Sequence, residues 1–490
     1  MTEATFIDRL MLPVAPSWVA RRVEARARVE AFLESRKYDG AGSGRRNEGW
    51  LRPATSANAE TATAWRTLAS SARELVRNNG HAANAVSLIA NNTVGTGIRP
   101  SFHAESDDLE RRLRELWEAH AEADSSGVGE TGGVYQRQNL AFRSIVESGS
   151  VLLRRRTRNK LVLPYAVQVL EPDYLATERD GPLANGKIVA GKEYTSTDEL
   201  RRYWLYTEHP GDAWSSMRGM GKSTSVSPEY VAHAYRMDRP GQVMGVSWLA
   251  PVMASLKDLA DTRDAYQLRQ KIAACFAVFV YESEPGVGTQ HKGQPISDHI
   301  EPGRVESLPP GKDVKFADPP GVDGLSDFDR AQLMTIAVGL GVPYEALSGD
   351  LSRVSFLSGR MGWLSFYRNI DVWRTSIVIP RICEREMQWF MQLAQVREGI
   401  NDRVRITWTS PHRDLLDPKQ EIAALKDEMR LGALSYPDMV RMRGRNPDMV
   451  IAEWEKWAKD MDARELAFDW DPRRFSSAGN DIKQEEAPNA

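Results

Sequence analysis

The sequence predicts an α+β chain built from more than one folding unit. Three observations carry that expectation. Short strand patterns separated by turns crowd residues 150–236, one long helical run occupies about 249–276, and well-punctuated helices fill the end of the chain. At 490 residues, a length of roughly 150 residues per domain leaves room for about three units. The hydrophobic fraction of 41% suffices to build cores, and the net charge of −3 gives no global attraction to nucleic acid. Contact with a polyanion must then be local or weak.

Residues 17–46 form a basic arm in which Arg21, Arg22, Arg26, Arg28, Arg36, Lys37, Arg45 and Arg46 stand against four acids. The arm reads either as a solvated amphipathic helix with a flexible GAGSGRR tether or as a contact for a partner or neighbouring subunit. After it, ARELVRNNGHAANAVSLIANNTVGTGIRP (72–100) ends in a glycine pair, Gly95 and Gly97. A dinucleotide fingerprint needs a strand before its glycines, a helix after them, and a third glycine where Pro100 stands. Here helices at about 59–79 and 81–92 precede, and 98–100 continues extended. The pair is expected to be a turn feeding a strand.

Helices are expected at 106–122, with Leu109, Leu113, Leu116 and Trp117 on one face, and at 135–147. GSVLLRRRTRNKLVLPYAVQVLEPDYL then predicts a β-hairpin with strands at 151–153 and 161–163. Its five basic residues suit phosphate binding or the ordinary charge of an exposed turn. The run at 249–276 would span about 40 Å at 1.5 Å per residue. Leu249, Val252, Met253, Leu256, Leu259 and Ala260 stripe it, and its other faces are charged, as in a surface rod or a helix packed beside copies of itself. Residues 281–325, rich in Gly and Pro, read as a small β excursion with strands in RVESLPP and DVKFADPP. Ser326 and Asp329 form a capping pattern for a helix through 339. Residues 344–359 read as a polar loop. A long helix follows with Trp363, Phe366, Tyr367, Ile370, Trp373 and Ile377 at helical spacing, kinked at Pro380 and continuing through 391. Asp417-Pro418 to Gly432, Ser435 to Gly444, and Asn446-Pro447 onward define three final helices, and 476–490 reads as a disordered tail.

Motifs that carry chemistry are missing. The sequence has no GxxxxGK[ST], HExxH or GxSxG, and Cys275 and Cys383, its only cysteines, lie inside apolar helical patterns. Two buried thiols fit a reducing compartment. None of the eight histidines has another within three to five residues, which leaves no helical metal pair and no metal or cofactor expectation. No signal peptide opens the sequence and no window reaches the roughly 18 apolar residues of a membrane span. A soluble, cytoplasmically made protein with no membrane partner is expected.

In order along the chain, ARELVRNNGHAANAVSLIANNTVGTGIRP, VESGSVLLRRR with VQVLEPDYL, MDRPGQVMGVSWLAPVMASLKDL, IEPGRVESLPPGKDVKF, IAVGLGVPYEALSGDLSRVSFLSGR and DPKQEIAALKDEMRLGALS resemble the lambda-like family of tailed-phage portal proteins. The resemblance covers about 25–470. At 356–360 the expected Tyr-Ser-Ser-small-Arg is replaced by Phe356-Leu357-Ser358-Gly359-Arg360, so one hydroxyl is lost and the arginine stays.

The resemblance implies a portal fold with wing, long-helix stem, β-rich clip and α-helical crown. It places a basic N-terminal arm at 1–57, wing at 58–248, first stem helix at 249–280, clip at 281–325 and second stem helix at 326–343. A tunnel loop follows at 344–359, a wing return at 360–414, crown at 415–475 and tail at 476–490. It implies a non-enzymatic ring, typically of twelve subunits, at one capsid vertex of the virion, assembled in the host cytoplasm. Double-stranded DNA passes through it in packaging and ejection. The implied partners are terminase, major capsid and scaffold proteins, and head-completion or adaptor proteins. Ser352, Arg353, Ser355 and Arg360 would face DNA, and Arg304, Lys312 and Lys315 would dock partners on the clip. The competing readings are a metal-dependent DNA-processing enzyme with scattered acids gathered by folding, and a non-portal structural protein of a phage head or tail.

Overall fold

The computed structural model describes most of residues 54–275 and 325–474, with 279–282, 312–315 and some positions between 13 and 25. The chain divides into two compact units, 1–56 and 57–490. Of the first, helical turns between 16 and 25 are described. Most of the basic arm, the strand expected in RVESLPP, Arg304, and the tail from 476 lie outside the described residues.

The second unit opens with α1 (Ala57–Asn78) and α2 (Gly80–Thr93). Asn79 separates them by capping the second helix, its side-chain oxygen accepting from the His81 and Ala82 N–H groups at 3.0 and 3.1 Å. Gly95 and Gly97 follow with φ of 51° and 106° and feed β1 (Arg99–His103). The glycine pair is thus a join between a helix and a strand. A Cβ on Gly97 would sit 2.5 Å from the Tyr135 side chain, so a side chain there would both clash and strain the backbone. Next come α3 (Asp107–Ala121) and α4 (Val134–Ser148), close to their expected spans.

The hairpin forms, but its return strand lies later than expected. β2 (Ser150–Thr157) pairs antiparallel with β3 (Tyr165–Leu170), Thr157 opposite Tyr165. Residues 161–163, expected to be that strand, form bends; Leu163 is buried in the core, and Pro164 has no N–H to give a ladder. A five-stranded antiparallel meander follows: β4 (Gly181–Leu183), β5 (Gly186–Val189), β6 (Lys192–Thr195), β7 (Leu200–Tyr206) and β8 (Ser223–Val226). β9 (Val231–Tyr235) then returns to the free edge of β2, giving the order β3-β2-β9.

α5 (Met253–Cys275) begins a few residues after the expected 249. Leu249, Val252, Leu256 and Leu259 are buried in the main core, whereas none of 260–271 is buried. The chain is already extended by β10 (Phe279–Glu282), inside the stretch expected to end the first stem helix, and pairs antiparallel with β11 (Lys312–Lys315). α6 (Leu325–Leu340) is helical from Leu325, so Ser326 lies within the first turn and is not the expected cap. Its buried stripe, Leu333, Ile336, Ala337 and Leu340, has helical spacing. A Cβ on Gly339 would lie 2.5 Å from Val252, which marks how closely α6 approaches the start of α5. Arg263 and Asp329 tie the two helices further along at 2.9 Å.

A one-turn helix, α7 (Tyr344–Ser348), leads to a continuous helical stretch: α8 (Phe356–Trp373), a π-helical segment (Arg374–Cys383) and α9 (Glu384–Glu398). Pro380 lies inside the π segment, and the helix continues past it. The wider turn relieves the ring's clash with the preceding carbonyl. Phe366, Ile370, Trp373 and Ile377 of the aromatic stripe are buried in the main core. β12 (Arg405–Thr409) pairs with β1, Arg99 opposite Thr409, closing a long excursion of chain. The last helices, α10 (Pro418–Arg430), α11 (Tyr436–Met442) and α12 (Pro447–Ala463), are capped by Asp417, Ser435 and Asn446 as expected.

Candidate functional site

The segment from the end of α6 into the first turns of α8 holds the four residues expected to face DNA. Gly341 (φ 69°) turns the chain after α6, and Gly349 (φ 74°) ends α7 in the left-handed region. The Asp350 carboxylate then organises the turn. It accepts from the Ser352 hydroxyl at 2.5 Å, the Ser352 N–H at 3.0 Å and the Tyr344 hydroxyl at 3.2 Å. Those bonds, the Ser352 hydroxyl first, hold its pKa below the ordinary carboxylate range. Ser355 caps α8: its hydroxyl accepts from the Ser358 N–H at 3.2 Å while the Ser358 hydroxyl accepts from the Ser355 N–H at 3.1 Å.

The loop expected over 344–359 is therefore shorter. Helix α7 occupies its start and α8 its end, which leaves 349–355. Ser352 and Arg353 lie on that turn, Ser355 is a helix cap, and Arg360 sits in the second turn of α8. Each cation faces an acid from another element, Arg353 with Asp327 at 3.7 Å and Arg360 with Glu421 at 4.0 Å. Residues 344–360 carry two acids, Glu345 and Asp350, against these two arginines. Leu351, Phe356, Leu357 and Met361 are exposed beside them. The surface is apolar and charge-balanced. Asp327 and Glu421 escaped sequence reasoning because they are distant along the chain.

On the β10–β11 ribbon, Lys312 stands opposite Glu282 and Lys315 opposite Phe279 in backbone register.

The basic hairpin resolves toward the ordinary reading. Arg155 donates to Gln392 Oε1 at 2.9 Å and lies over the Tyr230 ring, and Arg156 donates to Gln168 Oε1 at 2.9 Å. Burial lowers the pKa of both Arg154 and Arg156. A cavity of about 410 Å³ on the α1–α4 side holds Arg73, Arg77 and Arg143 with Glu147 and Glu171. Arg73 pairs there with Asp173 at 2.5 Å and Glu171 at 3.3 Å, so its charge is already compensated.

Two groups of metal-type ligands occur among the described residues: His103 with Glu110 and Asp448, and Glu171 with Asp173 and His209. Neither follows a short sequence spacing of metal sites. Cys383 is buried, and that burial pushes its thiol well above the ordinary range, as befits a core residue. No described helix is long and apolar enough to cross a membrane.

The family described as phage portal protein, lambda family, matches residues 43–374. Among curated proteins, the portal protein of Escherichia phage N15 is 23% identical, with 92% of this chain and 95% of the relative covered. Portal protein B of Escherichia phage lambda is 24% identical, covering 68% of this chain and 70% of the relative. Among solved structures, the neck of a native GTA particle computed with C12 symmetry superposes with a TM-score of 0.46 at 16% identity, covering 82% of this chain and 98% of that one. With a family match across some two thirds of its length, the chain belongs to the lambda family of phage portal proteins.

Proposed function

We propose that this portal protein forms a ring at one capsid vertex and acts as a passive conduit for double-stranded DNA, with about twelve subunits enclosing the channel. The observation that carries the reading is the family match over 43–374. That range takes in the rod α5, the β10–β11 ribbon, α6 and the 349–355 turn. We assign α5 and α6 to the stem, β10–β11 and its surroundings to the clip, 349–355 to the tunnel-facing loop, and α10–α12 to the crown. Ser352 and Arg353 would then meet the DNA, with Ser355 and Arg360 at the edge of the loop. Lys312, Lys315 and Arg304 would meet terminase or a head-completion protein. Capsid and scaffold proteins would surround the ring, and the energy for translocation would come from the terminase ATPase.

Charge balance at 344–360 supports a conduit. Each neutralised phosphate adds affinity that sliding DNA must break, so a strongly basic collar would hold what it should pass. A rod with no fully buried residue over 260–271 suits side-by-side packing around a ring, where a heterologous interface closes on itself.

The test is the native mass of the purified protein with negative-stain images of the same fraction. Annular particles with a mass near twelve subunits, or a neighbouring integer, are expected. A low-order species that stays unassembled with scaffold and terminase present, and cuts DNA when metal is added, would overturn the reading.

A further inference from the structure

We propose that His103, Glu110 and Asp448 form a binding site for a zinc-like divalent transition-metal ion that pins the C-terminal helices to the body of the subunit. The three come from three elements: the end of β1, the first turn of α3, and the first turn of α12. Their candidate ligand atoms lie within 4.8 Å of one another.

The His103 and Glu110 side chains are already oriented by their surroundings, and the Asp448 backbone is held in the first turn of α12. His103 Nε2 lies 3.0 Å from Thr407 Oγ1, across the β1–β12 pair. Glu110 Oε1 accepts from the Ala104 N–H at 2.7 Å. Asp448 is fixed at the start of α12, its N–H donating to the capping Asn446 Oδ1 at 2.9 Å. Such outer partners hold ligands in place around a metal.

Two features point to a cation. Asp448 Oδ2 is buried and accepts no hydrogen bond, a costly state for a carboxylate oxygen unless something positive completes it. Among the described residues, neither Glu110 nor Asp448 forms an ion pair with a lysine or arginine, although the two carboxylates converge. The other cluster is the useful contrast. Glu171 and Asp173 share Arg73, at 3.3 and 2.5 Å, and His209 reaches Glu171 at 3.2 Å, so a protein cation already fills that role.

The donor set selects the ion. One imidazole nitrogen and two carboxylate oxygens suit zinc and its transition-metal neighbours, while calcium and magnesium prefer oxygen alone. With bonds of about 2.0–2.2 Å, the side chains need to close by about an ångström, and water can take a fourth position. β1 lies in the family-matched region and α12 well beyond it, so the ion would join segments from opposite ends of the subunit.

The experiment uses the untagged full-length protein, stripped with EDTA and titrated separately with Zn²⁺, Mn²⁺ and Ca²⁺ by calorimetry. Thermal unfolding and amide hydrogen exchange over 447–463 are followed in parallel. One Zn²⁺ per chain is expected, with a rise in Tm, slower exchange in α12 and no matching response to Ca²⁺. Asp448→Asn and His103→Gln should each bind Zn²⁺ roughly tenfold or more weakly and lose the Tm gain. Asp448→Asn keeps the proposal testable if the histidine variant folds poorly, provided its EDTA melting curve matches the wild type. No stoichiometric binding to the wild type, or wild-type affinity in Asp448→Asn, would overturn the site.

Discussion

His120 at the end of α3 shows how burial sets a charge state. It is stacked 4.5 Å from the Tyr165 ring, with its Nε2 buried and unbonded. Desolvation first, and the nearby Arg137 charge second, lower its pKa from 6.5 to about 4. The sign follows from linkage. Above pH 6.5 neither state binds the proton; between 6.5 and about 4 the unfolded chain binds it and the folded one does not, so stability falls as pH falls through that window. The full loss is on the order of 3 kcal/mol. Urea unfolding should show a steep decline over this range in the wild type and a shallower one in His120→Phe; equal slopes would assign the decline to carboxylates instead. Arg137 itself, 1% exposed, pairs with Glu386, 2% exposed, and donates to Ser126 Oγ at 2.7 Å and the Gly132 carbonyl at 2.8 Å. Arg137→Met leaves a buried carboxylate unpaired and should cost about 3–5 kcal/mol. Arg137→Met with Glu386→Leu should recover most of that, as read by chemical denaturation. A double variant no better than the single would show that the Ser126 and Gly132 bonds dominate.

Elements in this subunit are fixed by their ends as much as by their propensities. Arg374, buried in the π segment, donates to the Thr93 carbonyl at 2.7 Å and the Asn92 carbonyl at 3.0 Å, satisfying the terminal acceptors of α2 from another part of the chain. Within the same segment, Thr375 and Ser376 hydroxyls donate to the carbonyls of Asp371 and Val372 at 2.8 and 2.5 Å, supporting backbone acceptors where the α-helical pattern gives way. The Ser355–Ser358 box plays the corresponding part at the start of α8. Ser355→Ala should weaken that start by about 1 kcal/mol and speed amide exchange at 356–361 while leaving 366–373 protected. Unchanged exchange would mean that packing alone holds the first turn. The π segment had no sequence signal beyond Pro380, because a widened turn depends on what the helix packs against.

At the scale of the assembled molecule, the prediction concerns Arg353. It is exposed and, among the described residues, pairs only with the equally exposed Asp327 through a long contact, and such surface pairs contribute little. Arg353→Glu should therefore leave rings intact by native mass and images. It should lower DNA packaging, since it gives the proposed tunnel loop a net negative charge. Loss of rings would instead place Arg353 at a subunit contact.

Local chemistry made much of this protein legible. The Asp417, Ser435 and Asn446 caps, the turn at Gly95 and Gly97, and the 3.6-residue stripes on α5 and α8 depend on neighbours a few residues away, and the sequence determines them by itself. The family was legible for the same reason, through ordered local segments. Tertiary structure decided what depends on distant partners. It paired β1 with β12, moved the hairpin's return strand past Leu163 into Tyr165–Leu170, and gave Arg353 and Arg360 their acids. It also brought Asp448 to His103 and Glu110. Those contacts arise only when the core closes, because side-chain burial and strand register are set by surfaces that meet in space, and no spacing along the chain encodes which surfaces meet.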